Sequence, residues 1–290
     1  MSGSQLRGAA TVVGLSIQEG IRRRVFLAVL VLTVAFLALY GLGAHFAFRD
    51  VDEFAAGEPK ILDPHAFTGA TIFGLAMFAT LFLGAVLAVF LTLGVVRGDA
   101  ESGLLQPIVV RPIGRTTMLV ARFAGAAVLS GAYVLVVYLA AWAITKATGD
   151  WSPDHLLGPA FGLALAVAII AALSLLASTV LSVTAQGIVV FMVFGAGLTA
   201  GLLAQIGNAI DSDSLHEIGR TASWALPFEG LYAASLHALI SETSGLTGVV
   251  LQLGPFGGSE AAGAGSIAWA FVYLVGVLAL AALVFSRRDL

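Results

Sequence analysis

Long apolar blocks, separated by short charged or glycine-rich stretches, set the pattern of this chain. Residues 25–44 form the first block, about 20 residues, the length at which a helix crosses the hydrocarbon core of a bilayer. Five more blocks follow, at residues 71–96, 118–145, 157–181, 187–206 and 266–285. The pattern predicts an all-α polytopic membrane protein with six spans, forming a single transmembrane domain over residues 1–290.

The stretches between blocks predict smaller elements. In residues 6–24, Leu6, Val13, Ile17 and Ile21 repeat at helical spacing, while Thr11, Gln18 and Arg22 fall on another face. This reads as a surface helix lying in the membrane interface, apolar side down. Gly8, Gly14 and Gly20 weaken it. Residues 45–68 read as a polar loop with Asp50, Asp52, Glu53, Glu58 and Asp63, in which Pro59 and Pro64 break any long helix. Residues 146–155 are a short loop with Trp151 at interfacial depth, and residues 182–186 a tight uncharged turn. Residues 208–265 are long and mixed. Within them residues 224–240 are apolar but short, and contain Pro227, Glu229 and His237. That suits a re-entrant or interfacial segment between spans five and six better than a further span. Residues 254–258, Gly-Pro-Phe-Gly-Gly, make a turn.

Composition agrees with the pattern. Of 290 residues 59% are hydrophobic and 11% charged, and the mean hydropathy is +1.00, against about 25% charged in soluble domains. Basic residues orient the spans. Arg7, Arg22, Arg23, Arg24, Arg97, Arg111, Arg115, Arg122, Arg287 and Arg288 fall on one side, ten of the 14 basic residues. Arg49, Lys60, Lys146 and Arg220 fall on the other. The bias predicts a multi-pass protein of the cytoplasmic membrane with both termini in the cytoplasm. The first residues carry one arginine and no apolar core before a cleavage site, so no signal peptide is expected.

Candidate chemistry is sparse. The sequence has no cysteine and hence no thiol chemistry. No Gly-x-x-x-x-Gly-Lys-[Ser/Thr] phosphate loop occurs, and the two lysines, Lys60 and Lys146, both fall outside. Neither His-Glu-x-x-His nor Gly-x-Ser-x-Gly occurs. His45, His65, His155, His216 and His237 share no ligand spacing on one helix, so no metal site is expected. The spans offer hydroxyls such as Thr80, Ser174, Ser178, Thr179 and Thr199 instead of acids or histidines at mid-membrane. Ion-coupled transport usually relies on such ionisable groups, so the energy for any transport is expected to arrive from outside the spans. No catalytic residue and no nucleic-acid partner is expected. Gly197 and Gly201 make a Gly-x-x-x-Gly that fits close packing within the chain or a dimer.

One charged island remains, residues 97–122, between spans two and three. A helix starting near Asp99 has acids in its first turn, which suits the helix dipole. Pro112 then forces a break, and Arg115 emerges beside the membrane. On charge alone this is a solvated loop obeying the basic-inside bias. The order of its residues resembles the signature of type-2 ABC transporter permeases: an acid, a glycine, a small helix, then Pro-x-x-Arg and a further basic residue. Glu101, Gly103, Pro112, Arg115 and Arg122 fall on that order, with Asp99 and Arg111 beside them. Leu104 stands where threonine is common and Arg122 where lysine is common. Glu19, Arg22 and Arg24 are similar to the family's N-terminal helix. Leu226 to Tyr232, Leu-Pro-Phe-Glu-Gly-Leu-Tyr, with the later Gly-Pro-Phe-Gly-Gly, resembles permeases grouped with multicopper-enzyme and nitrous oxide reductase maturation.

The resemblance implies the membrane subunit of an ATP-driven exporter. It implies a homodimer docked on two ABC ATPase subunits, which bind ATP and magnesium, with the island seated on the ATPase; this chain binds no cofactor itself. A membrane scaffold or assembly factor without transport is the alternative, and an intramembrane enzyme a distant third. The few polar groups in the spans suit a lipid-like, amphipathic or small neutral cargo.

Overall fold

The computed structural model describes residues 3–22, 24–55, 63–94, 115–210, 212–241 and 263–287. Among them all regular structure is helical: α1 Gly3–Arg22, α2 Arg24–Ala55, α3 Pro64–Thr92, α4 Arg115–Gly149, α5 Leu157–Val180, α6 Val183–Ala209, α7 Asp213–Ala225, α8 Pro227–His237 and α9 Ala264–Ser286. α2 to α6 and α9 are each long and apolar enough to cross a membrane. The protein is therefore a multi-pass α-helical membrane protein.

The chain runs alternately from one face to the other. α1, the end of α3, the start of α4, the α5–α6 turn and the end of α9 share a face, called here the terminal face. The opposite face carries α7 and α8. Two contacts support this division. Gln186, just after the α5–α6 turn, bonds to Gly94 at the end of α3, and Trp269, at the start of α9, donates to the carbonyl of Trp224 at the end of α7 (2.9 Å).

α3 and α5 form the centre. Within their most apolar windows 67% and 61% of residues are buried, against 17% for α2, α6 and α9, whose apolar faces look outward. α3 packs on α4 and α5 through Phe73, Met77 and Leu81, with Phe73 edge-on to Tyr138 of α4. Gly84 lets Val134 of α4 and Val167 of α5 approach α3 closely. Hydroxyls in the spans mostly fold back on their own helix; Thr80 donates to the Ala76 carbonyl at 2.7 Å. That satisfies a polar group where no water reaches. Thr33 of α2 also bonds the hydroxyl of Tyr133 on α4.

Several boundaries differ from the sequence reading. Residues 45–55 are not a loop, because α2 continues through them to Ala55. Its 32 residues span about 48 Å at 1.5 Å per residue, so the last turns project beyond the hydrocarbon core. There Arg49 pairs with Glu53 one turn on (3.2 Å). Pro64 begins a helix instead of breaking one. Asp63 caps α3, accepting from the amides of His65 (3.0 Å) and Ala66 (3.3 Å), and proline suits the first helical position because its missing N–H has no partner there anyway. α4 runs on to Gly149, past the expected loop start, and Asp150 closes it with a positive φ of 50°. The expected 224–240 segment is split at Leu226. Trp224 and Ala225 end α7, an amphipathic helix that the sequence reading did not separate, and Pro227 starts α8, which stops at His237.

Candidate functional site

Of the expected site residues, Glu19, Arg22, Arg24, Arg115 and Arg122 lie on the terminal face, on α1 and at the starts of α2 and α4. Asp99, Glu101, Gly103, Arg111 and Pro112 lie outside the described residues. Arg115 is the first residue of α4. Arg122 sits seven residues further on, about two turns into that helix, so it belongs to the span and not to the loop. Its Nη1 lies 3.1 Å from Oε2 of Glu19 on α1. The two groups that the sequence assigned to separate segments, the N-terminal helix and the charged island, are thus one ion pair.

The fit of α1 onto α4 depends on small residues. Gly125 faces α1 so closely that a Cβ there would lie 2.8 Å from the Ser16 Cβ and 3.4 Å from the Val13 carbonyl. Gly20 is buried, and a Cβ on it would meet Leu91 of α3 at 2.8 Å and Leu129 of α4 at 2.9 Å. Val13, Ser16 and Ile17 are half-buried, whereas Leu15 and Ile21 are exposed. The docked stripe therefore follows Val13, Ser16, Ile17 and Gly20, and Ile21 leaves it. The glycine that weakens α1 as an isolated helix is what lets α1 lie against two spans, as small residues do at close helix contacts. Arg22, Arg24 and Arg287 stand exposed on this face.

A second constellation lies beside the first, and only Ser174 of it was singled out from the sequence. Gln186 of α6 is fully buried. Its Oε1 accepts from the Gly94 amide (3.2 Å), and its Nε2 donates to the Thr92 carbonyl (3.1 Å) and to the carbonyl and Oγ of Ser174 on α5 (3.0 Å each). Thr92 Oγ1 donates toward Ser174 Oγ (2.8 Å). Three spans meet at one amide. A signal was present in the sequence, since Thr92, Ser174 and Gln186 are isolated polar residues near the same end of three apolar blocks.

On the opposite face, Glu229 of α8 is buried, the one acidic or basic side chain in the buried set of described residues. Ser223 Oγ donates to its Oε2 at 2.6 Å, and Gly201 of α6 leaves the room its Oε1 occupies. Burial pushes this carboxyl above the ordinary carboxylate range, only partly countered by the Ser223 bond. The Tyr232 hydroxyl is likewise raised, by burial first and by the nearby Glu229 second. Gly197 receives the ring of Phe228 in the same way. The Gly197–Gly201 pair is thus filled by α8 of the same chain. Among the described residues no group of three or more His, Asp or Glu gathers as a metal site.

A family model described as ABC-2 family transporter protein matches residues 10–290. No curated protein matches the chain.

Proposed function

The chain belongs to the ABC-2 family of transporter proteins, and from that premise we propose that it is the permease subunit of an ATP-driven exporter, worked by a separate ATPase docked through the charged island, residues 97–122. Membership makes it a membrane transport component and implies an ABC ATPase partner. The reading adds where that partner seats and what it moves. The carrying observation is the ion pair between Glu19 and Arg122. The island runs into the start of α4 at Arg115, and α1 packs along α4 there, with Gly20 also against Leu91 of α3. A push on the segment is delivered to a braced root and hence to the spans. The arginines of this face support its assignment to the cytoplasmic side of the cell membrane. ATP and magnesium then belong to the partner, two ATPase copies serving two copies of this chain. The likeness of residues 226–232 to maturation permeases suggests cargo delivered to an extracytoplasmic assembly step.

The test is purification of the tagged chain from its native membrane in mild detergent. An ABC ATPase recovered in a one-to-one ratio supports the reading. The intact chain recovered in good yield without any ATPase overturns it and favours a scaffold.

A further inference from the structure

We propose that Gln186 is the positioning residue that joins the end of α3 to α5 and α6, so that a displacement of the charged island, residues 97–122, moves these spans together. The inference rests on the proposed docking of an ATPase on that segment.

The geometry is unusual for a membrane interior. The last carbonyls of a helix lack partners within it and must be satisfied from elsewhere. α3 ends at Thr92, and Gly94 turns the chain away with a φ of 71°. One side-chain amide satisfies the Thr92 carbonyl and the Gly94 N–H together, and carries the Ser174 carbonyl of α5 as well. The amide's orientation is fixed: its oxygen faces an N–H, its nitrogen faces two carbonyls. Turning it over would place like against like.

Among the described residues nothing else nearby does this work. Below the amide, α3 and α6 part around an apolar groove of about 700 Å3, with Phe90 and Leu93 on one side and Gly187, Ile188 and Phe191 on the other. Further along they share little more than the Phe82–Phe194 ring contact, at 6.3 Å between centroids. Apolar contact in lipid contributes little attraction, because the acyl chains compete for the same surface. The hydrogen-bonded amide is therefore what holds the end of α3 to α6. Apolar replacement leaves the Gly94 N–H and the Thr92 carbonyl without this partner and takes from the Ser174 carbonyl its bond beyond α5, a cost that the helices relieve by separating to admit lipid headgroups or water.

The experiment uses the cysteine-free chain. One pair of cysteines replaces Phe90 and Ile188, across the groove; a second replaces Leu157 and Ile206, at the opposite ends of α5 and α6. Both pairs carry nitroxides, and labelled chain is diluted with unlabelled chain in lipid nanodiscs, alone and bound to its ATPase. Distances are measured by pulsed electron resonance with and without a non-hydrolysable ATP analogue. In the chain alone, Gln186→Met is expected to broaden the 90–188 distribution, whereas Thr80→Val, which removes a buried hydroxyl bonded only within α3, leaves it unchanged. In the complex, nucleotide is expected to shift the 157–206 distance, and Gln186→Met to reduce the fraction shifted by about tenfold. Ser174→Ala removes one arm of the network and gives a smaller effect of the same sign, which keeps the test alive if Gln186→Met fails to fold. A Gln186→Met protein with the wild-type 90–188 distribution, or with the full nucleotide shift, overturns the joint. A wild-type complex without any nucleotide shift refutes the ATPase-driven reading itself, and the joint's role with it.

Discussion

Gly125→Leu should strip α1 from the bundle, whereas Gly20→Ala should leave it seated. Both glycines face neighbours at nearly the same hypothetical distance, so the contrast tests which atoms can yield. At Gly20 the added carbon meets Leu91 Cδ2 and Leu129 Cδ2, the free ends of flexible side chains. A small rotation relieves that crowding, and alanine gains about 1 kcal/mol of helix propensity over glycine. The two effects nearly cancel. At Gly125 the added carbons meet Ser16 Cβ and, behind it, the Val13 carbonyl of the backbone. Neither moves unless α1 moves. Overpacking of this kind costs about 1–3 kcal/mol, and leucine, with three carbons beyond the Cβ, belongs near the top of that range. Undocking also gives up the Glu19–Arg122 pair, which is partly exposed and contributes no more than about 1 kcal/mol. A loss near 3 kcal/mol raises the undocked population by about 100-fold, at 1.4 kcal/mol for each factor of ten. The assay is the rate of maleimide labelling at Ser16→Cys, a near-isosteric probe in a chain without cysteine, alongside thermal unfolding of the helical bundle. Labelling should accelerate by about 100-fold, or to the limit of a free thiol, with Gly125→Leu and by less than about twofold with Gly20→Ala. Equal labelling rates in the wild type and Gly125→Leu would refute the docked α1, as would a rise in labelling that merely tracks global unfolding.

Two further outcomes follow from the opposite face. Glu229 has a raised carboxyl pKa in the folded chain, so folding favours its protonated form. Its stabilising contribution is complete below the unfolded value near 4.5 and is lost as pH rises through the folded value. Glu229→Gln keeps a neutral group of the same shape and should flatten this pH dependence of thermal stability; a wild type and variant with parallel pH profiles would contradict the burial argument. Cysteines at Thr221 and Ser241 should label from one side of sealed vesicles, the side opposite reporters fused to both termini, and labelling from two sides would add a span between them.

The sequence carried the six spans because lipid demands long apolar helices, and that demand leaves a mark at every position. It carried less about helix ends. Residues 45–55 look polar yet stay helical, since a helix that has left the hydrocarbon core loses nothing by bearing Asp50, Asp52 and Glu53. Pro64 shows how one residue type breaks a helix or starts it, depending on whether an acceptor such as Asp63 precedes it. In the sequence only the presence of Glu19, Arg22, Arg24, Arg115 and Arg122 was legible, from charge and from family order. Their pairing was not, because the contact between α1 and α4 is written in Gly20 and Gly125, residues without a side chain to announce it. Gln186 went unnoticed for a related reason. A single amide at a turn gains meaning only when Thr92 and Ser174 are brought beside it, across 94 and 12 positions of sequence.

The central claim is that a separate ATPase works these spans through the charged island, residues 97–122. Its most direct measurement is ATP hydrolysis and co-purification by detergent-solubilised complexes carrying Glu101→Ala with Arg115→Ala, beside Arg111→Ala as the matched basic control. The sequence predicts that these groups face water, where a replacement shifts stability by no more than about 0.5 kcal/mol each, so chain levels and thermal unfolding should hold. Truncating one partner of an interfacial charge pair costs about 2–5 kcal/mol of binding, so the ATPase should be lost from the double variant or hydrolyse ATP without coupling, and should remain with Arg111→Ala. An ATPase retained at wild-type stoichiometry and coupled activity in the double variant would contradict the account.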